Sequence, residues 1–505
     1  MSPDQSSTLG RKTLVGIGWI GAWRMVARGL GFISTLVLAR LLFPTDFGLV
    51  AMASAFAGAI GSLSEFPVED ALVRRIETDT RLHDVAFTFQ FGRALATGGL
   101  MALTAPIAAQ WFSEPRLTAV VLVLAGLTAI SGLDNIGIVE FRRQMRFDVQ
   151  FRILLVPRLL QFFSTILAAW LTHSYWALLI GIGVQRLSRL VATYLIHSYR
   201  PRISLSGWRD IAGFSLWLWA TGLLSLAWDR YDTFLVGHYF GSAALGLYMV
   251  ASQIAMLPVA ELVIPAAGVL LAGFAFSRRS GGTATTNAVP LSTALFFVVT
   301  PMALVLSFGS SYVVALLLGG KWGAAAPLIS IIAWACLAAP LRQICGAVLI
   351  TIGEVRRQFI AVAAASLVRV VVVYIAARYF SLAAVAVAAV GLSSLEALFF
   401  VLQVRAVGYA RLRHSAFGLI RGAVAAMATL FVLARWGAAW SPTLPSIALS
   451  SPYVNSLVHL VILGTLALTT FVVSGAVAWV VSGRPEGPEK LLVRLGYSVI
   501  TRRAM

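Results

Sequence analysis

The chain has few acidic residues, almost no lysine and almost no cysteine. Its 505 residues include 39 Lys+Arg but only 20 Asp+Glu and two cysteines, and 12% of the residues are charged against 59% that are hydrophobic. A soluble domain has about 25% charged residues, so this composition excludes that class and indicates a membrane protein. Cys336 and Cys345 share one apolar stretch. We therefore expect two packing residues, with no disulfide, metal site or cofactor.

Long polar segments are also missing. Fourteen apolar stretches, each about long enough to cross a bilayer, are joined by short connections, and the longest outward one runs from Trp436 to Asn455. No connection is long enough to form an extramembrane domain that could hold an active site, so we do not expect an enzyme. The stretches begin near Thr13, Phe47, Val85, Leu117, Ile153, Tyr175, Ile211, Ala244, Ala288, Ala324, Phe359, Leu382, Ser415 and Ser456.

Basic residues alternate between rich and poor connections along the chain. Every second connection, beginning with the N-terminus, is rich, and these hold 24 of the 39 Lys+Arg, whereas the intervening connections hold five. Loops rich in Lys and Arg stay cytoplasmic. The alternation therefore predicts fourteen spans with both termini in the cytoplasm. The net charge of +19 is then explained by anionic lipid at the inner surface, and no nucleic-acid partner is expected.

A weak internal repeat relates the two halves of the chain. A shift of 198 residues lays Ser34–Ser54 on Asp232–Ser252 with five identities in 21 positions. The shift corresponds to six spans. Because six is even, the halves are predicted to be parallel repeats, an arrangement typical of transporters. The matching pairs are Thr35/Thr233, Gly48/Gly246, Leu49/Leu247, Ala53/Ala251 and Ser54/Ser252.

Four runs of sequence resemble one family of transporters. They are ARLLFPTDFGLVAMA at Ala39–Ala53, EDALVRR at Glu69–Arg75, FRRQMRFD at Phe141–Asp148 and DRYDTFLVGHYFGSAALGLYMVA at Asp229–Ala251. In these runs the chain is similar to polysaccharide transporters of the Wzx type, within the multidrug/oligosaccharidyl-lipid/polysaccharide (MOP) flippase superfamily. The motifs belong to helix ends and loops, so they indicate the family better than the substrate.

The resemblance implies an all-α polytopic membrane protein with two six-helix lobes around a central cavity and two further C-terminal helices. On this chain the lobes would be residues 1–200 and 201–408, with spans thirteen and fourteen and a cytoplasmic tail in 409–505. The implied function is a flippase of the bacterial inner membrane. It would move an undecaprenyl-diphosphate-linked oligosaccharide by alternating access, for exopolysaccharide, capsule or O-antigen synthesis. A polysaccharide polymerase and a chain-length regulator are candidate partners.

Ten arginines lie inside the apolar stretches. An arginine at mid-span costs about 2.5–3.5 kcal/mol on insertion scales, so such residues point to function. Arg158 and Arg421 are predicted to lie within about two turns of a cytoplasmic end, where their side chains can reach the interface. Arg93 and Arg342 are predicted in the inner third of their spans. The remaining six are Arg24, Arg28, Arg186, Arg189, Arg230 and Arg369.

Two pairs of these arginines share a helix face. Arg24 and Arg28 are four residues apart, and Arg186 and Arg189 are three apart. The acids of the first six spans are all expected near cytoplasmic ends; they are Glu65, Glu69, Asp70 and Asp134. The arginines should therefore line a cationic cavity that suits a diphosphate. The predicted diphosphate-binding residues are Arg24, Arg28, Arg93, Arg186 and Arg189. Pairing of these side chains with backbone carbonyls between helices stays open as the alternative.

Charged residues in the second half have other predicted roles. Glu261 lies at mid-depth between two prolines, and bent helices with a central carboxylate recur at coupling sites. Glu396 could pair with Arg369 in the preceding span. The residues predicted to form a network between the lobes, or a coupling site, are Asp229, Arg230, Asp232 and Glu261.

Two other functions stay open from the sequence alone. A multidrug/cation antiporter of the same superfamily would favour an acidic cavity, which the buried arginines oppose. A membrane polysaccharide polymerase or ligase is opposed by the short outward loops.

Overall fold

The computed structural model of the chain is helical in the parts that it describes, which are residues 3–63, 72, 80–204, 209–279, 288–407, 412–440 and 452–483. For 209–230 the description covers the backbone alone. No β-strand occurs in these ranges, which confirms the predicted all-α class. The acids Glu65, Glu69 and Asp70 lie outside the described residues.

The first of two compact units spans Met1–Gly246. Helix α6 packs against both α1 and α7, and α4 packs against α2, α3 and α7. The bend after α4 contains a short 3₁₀ turn, Ile136–Ile138. The helices are α1 (Pro3–Leu41), α2 (Pro44–Leu63), α3 (Thr80–Trp111), α4 (Leu117–Ser131), α5 (Val139–Arg143), α6 (Phe147–Thr172), α7 (Trp176–Ile196) and most of α8 (Arg209–Ala255).

Local sequence explains where two of these helices begin and end. Pro44 is the first residue of α2, where its missing N–H is not needed, and the Asp46 carboxylate accepts a hydrogen bond from the Phe43 amide at 2.9 Å. At the other end of the unit, α6 ends at His173, which adopts a left-handed conformation with φ of 47°. Because the connection to α7 is so short, α6 and α7 run antiparallel.

The second unit spans Leu247–Met505. A π-helical turn, Val259–Val263, precedes α9. Helix α10 packs against α13, α16 and α17, and α15 packs against α13 and α14. The helices are α9 (Ile264–Arg279), α10 (Ala288–Phe308), α11 (Ser310–Leu317), α12 (Ala326–Ile332), α13 (Ala339–Ile352), α14 (Val355–Tyr379), α15 (Leu382–Ala406), α16 (Leu412–Trp440) and α17 (Pro452–Val481).

Several of these helices are long and apolar enough to cross a membrane. Nine in the described part of the chain meet that condition, and the number is eleven if each of two bent pairs forms one span. The bends are 65° between α4 and the following turn with α5, and 78° between α10 and α11. The protein is therefore a multi-pass membrane protein, and the finer count of fourteen spans stays a prediction.

Both cysteines are buried free thiols, as predicted for packing residues. Cys336 packs with Val259, Val263 and Val299, and Cys345 packs with Phe274 and neighbouring aliphatic side chains.

The first unit extends further along the chain than the lobe predicted to end at residue 200. The second half of α8 explains the difference, because it packs on α2 and on the end of α3. The Phe234 and Phe112 rings stack with centroids 5.8 Å apart, and His238 Nδ1 lies 2.6 Å from the Trp111 carbonyl oxygen. The lobes defined by span number stay a prediction.

Two glycines from the internal repeat meet in this packing. A Cβ added to Gly48 of α2 would lie 1.7 Å from the carbonyl oxygen of Ser242, and one added to Gly246 of α8 would lie 1.9 Å from that of Pro44. Each Cβ would also lie 3.0 Å from the amide nitrogen of the other glycine. The 198-residue shift lays Gly48 on Gly246 and Pro44 on Ser242. The two copies therefore contact each other reciprocally, which supports the repeat.

Candidate functional site

The arginines of α1 are exposed on one face of a membrane-crossing helix. Arg24 and Arg28 lie on the stretch Gly21–Leu41, which is apolar enough to span. Their four-residue spacing puts them on the same side. Within the described residues, Arg24 makes no ion pair or hydrogen bond through its side chain. Arg28 does have a contact. Helix α1 thus presents two guanidinium groups, at least one of which is available to a ligand.

The second predicted pair, on α7, is partly neutralised. Arg189 Nε lies 2.9 Å from Asp134 Oδ2, an ion pair without hydrogen-bond geometry. Asp134 was expected near a cytoplasmic end, and the sequence analysis did not identify it as a partner of Arg189. Asp134 lies in the bend after α4, and α4 packs against α7, so the carboxylate reaches the side of α7. Arg189 has a structural partner as well as a position in the candidate site.

Polar contacts hold the bend that carries Asp134. The Gln90 amide of α3 donates to the carbonyl oxygens of Gly132 and Asp134, at 3.2 and 3.0 Å. Asn135 caps the following turn by accepting from the Gly137 amide, and its own side-chain amide donates to the Tyr199 carbonyl at 2.7 Å. Asp134 is only 8% exposed, so its carboxylate is held in place beside Arg189.

Arg186 and Arg93 are half-buried cations with no acid bound to them among the described residues. Arg186 is repelled by Arg189 and attracted by Asp134, without forming an ion pair with that carboxylate. On α3, the Arg93 Nε is buried and has no hydrogen-bond partner in the described part of the chain. Desolvating a guanidinium without a partner is costly, so both side chains are candidates for contact with an anion.

Of the two arginines predicted to reach the interface, Arg421 does not follow that prediction, and the depth of Arg158 stays a prediction. Arg421 of α16 is only 4% exposed and is buried inside the second unit beside Gly418 and Thr293. Helix α6 begins at Phe147, well before the predicted span, so Arg158 lies about 16 Å along the helix at 1.5 Å per residue. Asp148 in the first turn of α6 was the sequence signal for this earlier start.

In the second unit a buried carboxylate is paired with a cation. Glu396 of α15 is 4% exposed, and its Oε1 lies 3.7 Å from Arg342 Nη1 of α13. The prediction had named Arg369 as its partner. Arg369 of α14 also attracts Glu396 electrostatically, but more weakly than Arg342 does. The packing of α15 on both α13 and α14 explains why both guanidiniums are near this carboxylate.

The predicted coupling residues lie on two elements. Glu261 is an exposed residue in the π-helical turn Val259–Val263, between Pro258 and Pro265. Such π-turns are frequent at functional sites. Asp232 of α8 is half-buried, and its carboxylate accepts a hydrogen bond from the Thr233 amide at 2.7 Å. The side chains of Asp229 and Arg230 lie outside the described residues.

This arrangement gives the described part of the first unit an excess of positive charge on its membrane-crossing helices. Among the described residues, the arginines on these helices outnumber the carboxylates beside them. Asp134 is the acid that pairs with one of the candidate arginines, Arg189. A guanidinium can donate two parallel hydrogen bonds to phosphate oxygens, which an ammonium cannot. The chemistry therefore favours a phosphate- or carboxylate-bearing ligand over a cation.

The chain is similar in sequence to proteins whose names refer to succinoglycan and lipopolysaccharide biosynthesis. The chain is 24% identical over 333 residues to the "Succinoglycan biosynthesis transport protein ExoT" of Rhizobium meliloti, covering 65% of this chain and 67% of that protein. It is 21% identical over 345 residues to the "Lipopolysaccharide biosynthesis protein WzxC" of Escherichia coli, covering 67% of this chain and 69% of that protein.

Solved structures agree with the fold. The chain matches the "Lipid II flippase MurJ, inward closed conformation" with a TM-score of 0.68 at 14% identity, over 89% of this chain and 97% of that one. It matches an inward-facing MATE family transporter of the MOP superfamily with a TM-score of 0.59 at 15% identity, over 77% and 97%. The sequence profile described as "Polysaccharide biosynthesis protein" matches residues 37–327, more than half of the chain. The chain therefore belongs to this family of polysaccharide biosynthesis proteins and has the fold of the MOP flippase superfamily, as the sequence resemblance predicted.

Proposed function

We propose that this protein is a flippase that carries an undecaprenyl-diphosphate-linked oligosaccharide across the bacterial inner membrane for surface polysaccharide synthesis. The observation that carries the proposal is the excess of arginine over carboxylate on the membrane-crossing helices of the first unit. The names of the relatives, which refer to succinoglycan transport and lipopolysaccharide synthesis, support a glycan cargo.

The proposed mechanism follows from the cost of moving charge through hydrocarbon. A diphosphate has no counter-ion in the bilayer core, and this is the main barrier to its crossing. Arg24, Arg28 and Arg186, helped by Arg93 and Arg189, would bind the diphosphate while the glycan stays in water and the polyprenyl chain stays in lipid. Alternating access would then release the headgroup on the other side. No covalent bond changes, so no catalytic residue is needed.

The central experiment removes the guanidiniums of α1. Arg24→Ala and Arg28→Ala, singly and together, should each reduce surface polysaccharide, with the double variant the most severe. Arg24→Lys should be intermediate, because it keeps the charge but loses the two parallel hydrogen bonds. Arg152→Ala is the matched control, since Arg152 is 73% exposed and lies 4.0 Å from Asp148 at the start of α6.

Protein abundance decides how this experiment is interpreted. Alanine removes a charge that raises the cost of insertion, so all variants should accumulate normally. Wild-type polysaccharide in the double variant at normal abundance would refute the diphosphate-binding role.

We also propose fourteen spans with both termini cytoplasmic. A reporter that is active only outside the cytoplasm should work when fused after Pro44, Gly241 or Ser441 and fail after Arg279 or Arg413. The opposite result at two of these sites would refute the orientation.

A coupling role for Glu261 is the remaining part of the proposal. Glu261 is an exposed carboxylate on a π-turn between two prolines, at a point where the helix is already broken. Glu261→Gln should abolish any dependence of transport on a pH or cation gradient and leave diphosphate binding unchanged. An unchanged gradient dependence in this variant would assign the coupling elsewhere.

No observation on the described residues favours the alternatives. A cation antiporter would need acids where the first unit has arginines. It would predict that Arg24→Ala raises drug sensitivity and leaves polysaccharide intact, so the same variant separates the two functions.

A further inference from the structure

Arg158 of α6 lies where α1 and α6 meet. A Cβ added to Gly31 of α1 would lie 3.2 Å from Arg158 Nη2, so the guanidinium lies directly against this glycine. Arg158 Nη1 donates to Gln161 Oε1 at 2.7 Å on the next turn of α6. Among the described residues no carboxylate forms an ion pair with Arg158. The side chain is therefore held in position without being neutralised.

On the α1 side, Gly31 continues the line of the exposed arginines. Arg24, Arg28 and Gly31 have the spacing i, i+4, i+7, which keeps all three on one helix face. The Trp19 and Phe151 rings, 5.0 Å apart, fix the other end of the contact between α1 and α6. From that contact, α1 and α6 run in the same direction toward Gly31 and Arg158. Arg158 therefore lies about one turn beyond Arg28.

On the α7 side, the packing of α6 sets the level of Arg158. A Cβ added to Gly181 of α7 would lie 1.7 Å from Thr165 Oγ1 of α6, so these two residues are opposite each other. The helices run antiparallel with equal rise per residue. Seven residues back from Thr165 is Arg158, and seven residues on from Gly181 is Ser188. Arg158 thus lies at the level of Ser188, which is between Arg186 and Arg189 in sequence.

We propose that Arg158 is a further anion-binding residue, the middle member of an arginine belt that crosses three adjacent helices within about two helical turns. The belt consists of Arg24 and Arg28 of α1, Arg158 of α6, and Arg186 and Arg189 of α7. This inference rests on the proposed function and names a residue that connects its two arginine pairs. A diphosphate has two phosphoryl groups, and a cation between the pairs lets both groups be held at once. Gly31 is the residue that leaves room for this guanidinium.

Direct binding tests the belt. The purified full-length protein in detergent is titrated with farnesyl diphosphate at fixed low salt, with farnesol as the uncharged comparison. Arg158→Gln should raise the Kd for farnesyl diphosphate about tenfold, because a charge-assisted contact is lost. Arg158→Lys should lie between this variant and the wild type. Arg152→Gln, the same change on an exposed arginine of the same helix, should leave the Kd within about twofold.

The variant Gly31→Ala provides a second test, because its expected result would not occur if Arg158 had a purely structural role. The added methyl displaces the guanidinium by a few tenths of an ångström and should raise the Kd about two- to threefold in the wild type. In the Arg158→Gln background it should have no further effect, because its target is gone. An equal effect in both backgrounds, or an unchanged Kd for Arg158→Gln, would overturn the proposal.

The same titrations separate this inference from the function on which it rests. If Arg24→Ala and Arg28→Ala raise the Kd but Arg158→Gln does not, the belt is wrong and the flippase proposal stands. If none of the three changes the Kd, or if farnesol binds as tightly as farnesyl diphosphate, the diphosphate-binding role itself is wrong. Thermal unfolding of each variant excludes a loss of fold as the cause.

Discussion

The two units of the molecule place their membrane arginines in opposite electrostatic settings. In the first unit, Arg24 and Arg186 lie on membrane-crossing helices and form no ion pair with the described residues. In the second unit, Arg342 faces Glu396, a carboxylate that is 4% exposed. The side chain is the same, yet Arg342 has a carboxylate of its own unit as counter-ion, whereas Arg24 and Arg186 have none among the described residues.

This difference distinguishes two uses of a costly residue. A buried ion pair repays part of its desolvation cost through attraction, and its role is to fix how helices pack. An arginine without a nearby carboxylate recovers none of its desolvation cost until an anionic ligand binds to it. Removing the first kind should therefore lower stability, and removing the second kind should lower ligand binding. Arg189, which is paired with Asp134 inside the arginine belt, is the intermediate case.

The largest expected effect is in the second unit. Glu396→Ala leaves Arg342 and the nearby Arg369 without a buried counter-ion, and it should destabilise the protein by about 3 kcal/mol. Glu396→Leu combined with Arg342→Met should recover most of this loss, because it removes both charges. Thermal unfolding in detergent measures both changes. A Glu396→Ala protein as stable as the wild type would remove the contrast between the units.

A smaller effect is expected where pairing and binding coincide. Arg189→Ala leaves the buried carboxylate of Asp134 without its ion-pair partner and should lower the free energy of unfolding by about 1–2 kcal/mol. Arg186→Ala removes no ion pair, so its stability should be unchanged while its Kd for farnesyl diphosphate rises. Unfolding curves and titrations on the same two preparations make the comparison. Equal stability loss in both variants would show that Arg186 is also a packing residue.

The smallest effect concerns a charge pair in the aqueous connection after α3. Glu114 accepts hydrogen bonds from Arg116 at 2.8 and 2.9 Å, which lowers the pKa of this carboxyl below its ordinary value of 4.5. Because the pKa of Glu114 is lower in the folded state, its ionised carboxylate stabilises the protein at pH values above 4.5. This stabilisation is lost as the pH falls through the folded-state pKa.

The pH dependence of this pair can be measured against Glu114→Gln. At pH 7 the wild type should be more stable by less than about 1 kcal/mol, because Arg116 is half-exposed. The two melting temperatures should converge as the pH falls below 4.5. A difference that persists at low pH would assign the stabilisation to something other than the charge.

Local patterns in the sequence predicted much of this molecule and none of its pairings. Hydropathy and basic loops gave the helices, and four-residue spacing put Arg24 and Arg28 on one face, since both depend on neighbours along the chain. The pairing of Arg189 with Asp134 depends on how α4 packs against α7, which periodicity does not encode. The same holds for Arg342 and Glu396.

Helix α6 shows what the apolar pattern leaves out. That pattern places the start of the span near Ile153, but a helix can begin earlier in polar sequence. Asp148 in the first turn of α6 marked that start. The contact of Arg158 with Gly31 could not have been inferred, because no local pattern specifies which neighbour a side chain meets across a helix interface.

The reciprocal contact of Gly48 and Gly246 has a consequence for how this chain can change in evolution. A contact in which each copy offers the same patch to the other is isologous, the kind that a symmetric homodimer makes. One half of such a contact cannot change alone. Any side chain at either glycine would overlap a carbonyl oxygen of the other copy, at 1.7 or 1.9 Å. Glycine is therefore held at both positions, although the 21-residue repeats agree at only five.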